Sequence, residues 1–146
     1  MKFLLKKMYS SPSPQESSKL LTKTSLLFVI SGAYAYHLEL YYYSLLLLLN
    51  TVLSVNYWRN PVYGTRRNLD KFFAKVSFVI FLTSGVYYVR TWLMIPGTLL
   101  LFQIIYYYVV GQHLADVKKY KLWYYYHAMF HFYALLNQLV ILYSIN

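Results

Sequence analysis

Five stretches of this chain are mostly apolar, nearly free of charge and of membrane-crossing length. They are TSLLFVISGAYAYHLEL at 24–40, YYYSLLLLLNTVLSVNYW at 41–58, FFAKVSFVIFLTSGVYYV at 72–89, WLMIPGTLLLFQIIYYYVVG at 92–111 and LWYYYHAMFHFYALLNQLVILY at 122–143. A spanning helix needs about 20 predominantly apolar residues. The first two stretches together are too long for one span, and His37 with Glu39 marks a tight turn between two. The pattern predicts an all-α, polytopic membrane helix bundle with five transmembrane helices, a single domain over 24–143. Residues 1–23 read as a cytoplasmic N-terminal tether. MKFLLKKMYS lacks the long apolar region of a cleaved signal, and SSPSPQESSK is polar and broken by prolines.

Polar residues inside these stretches recur at helical spacing. His127, His131, Ala134 and Gln138 form one stripe, and Asn50, Ser54 and Trp58 another. Asp70, Ala74, Ser77 and Ser84 share a third, while Ser31, Gly32 and Ala35 offer a small surface for close packing. Polar groups are costly in lipid, so these stripes are expected to face the bundle interior. Counting ~1.5 Å of rise per residue places Asn50, Ser54, Asp70, His127 and His131 in the same half of the membrane, lining one pocket. His37 and Glu39 fall at the opposite face.

Composition supports this reading. Hydrophobic residues make up 59% of the chain and charged ones only 12%, against about a quarter in soluble domains. The 19 tyrosines suit membrane interfaces. Every Lys and Arg except Arg90 falls on one side of a five-span chain, which sets the N-terminus in the cytoplasm and the C-terminus on the opposite side. An even number of spans breaks this segregation. The net charge of +10 is therefore a topology signal, and nucleic acid is not an expected partner. With no cysteine, a metal is left with His, Asp and Glu as ligands. The segment YWRNPVYGTRRNLD reads as a border loop turning at Pro61 and Gly64, or as a site for anionic headgroups.

The motif with most chemistry is His127-x3-His131. Side chains at i and i+4 leave a helix on one face, and imidazole is a good zinc ligand. The same pair equally serves as hydrogen-bonding partners between helices. With Ser54 late in the second span and Asp70 early in the third, the pattern resembles the superfamily of membrane hydrolases that holds the alkaline ceramidases and the progestin and adiponectin receptors. That family has Ser-x3-His, an Asp and a closing His-x3-His in these places. The resemblance covers the second, third and fifth spans. It implies zinc on His127 and His131, Asp70 and Ser54 as catalytic residues attending a metal-bound water, and a lipid amide as substrate. The sequence departs from the family at Trp58, where a third histidine ligand is expected, and in having five spans rather than seven. The functional expectation is a small multi-pass protein of the lipid bilayer resembling metal-dependent lipid amide hydrolases. The alternative is a non-catalytic membrane component acting through helix packing or partner contacts.

Overall fold

The computed structural model describes residues 15–61 and 64–146. Among them the regular elements are all helical: α1 (Gln15–Ser25), α2 (Phe28–His37), α3 (Tyr41–Trp58), α4 (Thr65–Tyr88), a 3-10 turn (Thr91–Leu93), α5 (Met94–Asp116) and α6 (Tyr120–Ile145). The α1–α2 junction is a tightening of the helix, not a break. Leu26, Leu27, Val29 and Ile30 donate to carbonyls three residues back, and Leu27 keeps right-handed helical angles. The two segments form one column, about 34 Å long at ~1.5 Å per residue. The tether-to-span boundary read at residue 23 thus falls inside a helix, with Ser18, Leu21 and Ser25 buried. The remainder of the tether, up to residue 14, lies outside the described residues.

Two connections end in the same way. Glu39 (φ 61°) and Lys118 (φ 58°) adopt left-handed angles. The following residues, Leu40 and Lys119, donate back to the Ala35 and Leu114 carbonyls. This is a Schellman turn, usually made with glycine. The first of these turns lies where His37 and Glu39 predicted it.

The five columns alternate in direction, as their side-chain contacts show. Ser18 donates to the Trp58 carbonyl, Ser25 meets Ser54 at 2.9 Å, and Gly32 packs on Leu48, so the first column runs antiparallel to α3. Asn50 donates to Ser77 at 2.6 Å and Tyr43 meets Ser84 at 2.7 Å, which sets α3 antiparallel to α4. The Tyr107 ring stacks on Tyr133, and Asn137 donates to the Gly97 carbonyl, which sets α5 antiparallel to α6. The first and last columns run parallel, joined by Thr24–His131 at 3.0 Å and Ser31–Gln138 at 2.8 Å, each seven residues further along both helices.

Two apolar clusters fill the interior. Leu21, Tyr57, Trp58, Trp123 and Ala128 pack at one end, and Ala35, Leu47, Phe81, Ile141 and Leu142 toward the other. The alternation collects Lys19, Lys23, Arg59, Arg66, Arg67, Lys71, Lys75, Lys118, Lys119 and Lys121 at the first end and leaves Arg90 at the second. The flanks between are apolar and exposed: Leu45, Val86 and Ile95 present 67%, 80% and 74% of their surface. Two helical stretches, Thr91–Asp116 and Tyr120–Ile145, are long and apolar enough to cross a membrane.

Candidate functional site at the basic end of the bundle

The fold brings together most of the residues picked out by spacing. Ser54, one turn before the end of α3, is buried between Ser25 on α1 and Asp70 on α4. Ser25 also donates to the Leu21 carbonyl at 2.7 Å. The result is a chain of hydroxyls linking three columns. Asp70 stands two residues before the apolar stretch that opens at Phe72. Burial pushes its carboxyl up to about 6 from 3.8, against the Ser54 hydrogen bond and the Lys71 charge, which pull it down. Lys71 beside it is lowered by burial and by the charges of Arg67 and Lys75.

His127 and His131 follow on α6, with ring centroids 4.8 Å apart and planes at 72°. His131 is buried, and its Nδ1 lies 3.0 Å from the Thr24 hydroxyl. Its ring is edge-on to Phe28 at 5.3 Å. His127 is half-buried among aromatic rings, 5.2 Å from Trp58, 5.7 Å from Trp123 and 5.6 Å from Phe130. Lys71 lies within electrostatic reach of it.

Asn50 does not join this group. Its amide is engaged by Ser77, one turn or more further into the bundle, because the α4 stripe of Asp70, Ser77 and Ser84 faces α3 along its whole length. Gln138 is likewise engaged, by Ser31. His113 is exposed on the last turn of α5, and His37 is exposed at the opposite end. Sequence spacing missed Thr24 and Ser25, the partners of His131 and Ser54. They stand at the first two positions of the apolar stretch 24–40, outside the polar stripes picked out by spacing. The apolar-and-small rhythm Leu21, Ser25, Phe28, Gly32 and Ala35 is the signal that extends the first helical column backward.

Zinc is implied only by the family resemblance, and the residues can be tested against it. Among the described residues, no three His, Asp or Glu side chains come together as a ligand set. The place of the third histidine is filled by Trp58, whose indole offers an N–H donor and no lone pair for a metal. Its ring packs against His127 and Trp123. A three-histidine zinc centre does not fit these residues. Comparison with protein-family models, curated proteins and solved structures gave no match to this chain.

Proposed function

We infer that the chain is a five-span integral membrane protein, N-terminus in the cytoplasm and C-terminus opposite. It works as a non-catalytic membrane component on a plan resembling the ceramidase and receptor superfamily. Alternating columns, apolar exposed flanks and basic residues gathered at one end support the span count and orientation. The observation that carries the non-catalytic reading is the engagement of the site residues. Ser54 is held by Ser25 and Asp70, His131 by Thr24, and Trp58 stands against His127. These contacts tie the first, second, third and fifth columns together where water is scarce and each unmet polar group is costly.

A second reading is a zinc-dependent hydrolase of lipid amides, with His127 and His131 as ligands and Asp70 and Ser54 as catalytic residues. One observation favours it. Thr24 occupies Nδ1 of His131, leaving Nε2 as that ring's ligating atom, and metal-bound histidines are held in this way by a partner on the other nitrogen. Elemental analysis of protein purified without chelator separates the two. The first reading expects no stoichiometric zinc and no uptake on titration. Stoichiometric zinc that is lost in His131→Ala and kept in His37→Ala overturns it in favour of the second.

A further inference from the structure

Trp58 and Trp123 are among the most enclosed side chains of the basic end, at 4% and 6% exposure. Their indole N–H groups are buried, and neither has a hydrogen-bond partner among the described residues. Interfacial tryptophans ordinarily turn that N–H to water or a headgroup. Trp92, at the opposite end, is 65% exposed. A buried donor without an acceptor is a standing free-energy penalty, and native folds leave few of them. Here two occur side by side. The Trp58 and Trp123 rings are 5.9 Å apart, and His127 lies 5.2 and 5.7 Å from them, so the three rings form a closed triangle.

The chemistry of the missing partner follows from what surrounds it. An indole nitrogen donates only, so the partner is an acceptor and not a cation. Lys71, within reach of His127, favours a negative group. Asp70, the nearby acid, is already hydrogen-bonded to Ser54. Trp58 closes α3 and Trp123 lies in the first turn of α6, so the triangle sits at the border where phosphate groups of lipid are found. Phosphate oxygens have several lone pairs and accept from two donors at once. We propose that Trp58 and Trp123 form a binding site for a phosphate-type oxyanion, with His127 between them as the third wall. The lipid source of that group rests on the membrane reading, whereas free phosphate does not.

The test uses the full chain labelled with 15N, whose three indole N–H resonances belong to Trp58, Trp92 and Trp123. In a maltoside micelle, which contains no phosphate, inorganic phosphate is titrated against sodium chloride at matched ionic strength. In nanodiscs, phosphatidylcholine is compared with a mixture containing phosphatidic acid. Saturable downfield movement of the Trp58 and Trp123 signals, with Trp92 unmoved, is the expected result. Movement in the micelle identifies a free anion, and movement confined to phosphatidic acid identifies a headgroup. Trp58→Phe keeps the ring and removes the donor, and should weaken the response of Trp123 at least tenfold. Trp123→Phe makes the reciprocal test. No movement in either arm, equal movement with chloride, or an unchanged Trp123 response in Trp58→Phe overturns the site. None of these outcomes alters the zinc analysis above.

Discussion

Thr24 and His131, 107 residues apart, meet at 3.0 Å between the first and last columns. The contact meets the hydrogen-bonding need of a buried imidazole nitrogen.

Thr24→Val keeps the shape and removes the hydroxyl, leaving Nδ1 unmet. Interhelical hydrogen bonds in membrane bundles contribute about 0.6 kcal/mol on average and up to about 1.7. The variant is expected to lose stability of that order in an unfolding titration. His37→Ala, at an exposed position of the far end, is expected to change it by less than about 0.5 kcal/mol.

Gly32 is the close-approach point of the first column on α3. A Cβ there meets Leu48 Cδ2 at 3.0 Å and Cγ at 3.1 Å. Gly32→Val therefore has to push the two columns apart, with a loss of roughly 1–3 kcal/mol as in other overpacked interiors. Gly64→Ala meets no neighbour, but its φ of 139° is a backbone region that side chains rarely adopt. Thermal unfolding should show both variants weakened, Gly32→Val through packing and Gly64→Ala through backbone strain alone.

Asp70 makes stability depend on pH. Its folded carboxyl titrates near 6 and its ordinary value is 3.8, so between these values the folded protein binds the extra proton. The contribution is fully present below the ordinary value and is lost as pH rises through about 6. Burial is the cause: it disfavours the charged carboxylate, and the Ser54 hydrogen bond and the Lys71 charge only reduce the rise. Measured against Asp70→Asn, the wild-type midpoint should gain as pH falls from 7 to 4. A difference that is flat across this range removes Asp70 as the cause.

Ser31 and Gln138 repeat the Thr24–His131 contact seven residues further along both helices. Two such contacts require the first and last columns to run in the same direction. Reporters at residue 1 and at Asn146 are expected on opposite sides of the membrane, with Asn146 away from the cytoplasm. A cytoplasmic signal from Asn146 contradicts both the orientation and the odd span count.

The column count was legible because apolar runs and turn residues punctuate the chain at membrane length. The stripes were legible because helical period puts Ser77 and Ser84 on one face, and the structure turns that face to α3. The start of the first column was not. Ser18 and Thr22 look like loop residues, yet Ser18 donates to the Trp58 carbonyl on α3 and Thr22 to the Ser18 carbonyl four residues back along the same helix. Spacing alone also could not assign partners. Asn50 and Ser54 share a stripe, but which of them meets the histidine end depends on depth along α4, where Ser77 takes one and Asp70 the other. Trp58 was legible as a departure from a three-histidine pattern, while the second indole beside it, Trp123, becomes significant only when α6 packs.

The parallel end columns also restrict how this gene can be rearranged. In most compact domains the termini lie close together, and the chain can be closed and reopened elsewhere. Here the start of the first column at Gln15 and the end of α6 at Ile145 are separated by about the length of α6, about 39 Å at ~1.5 Å per residue, and in the membrane reading by the bilayer itself. On that reading a flexible linker does not make the crossing, and a circular permutant needs a sixth hydrophobic helix.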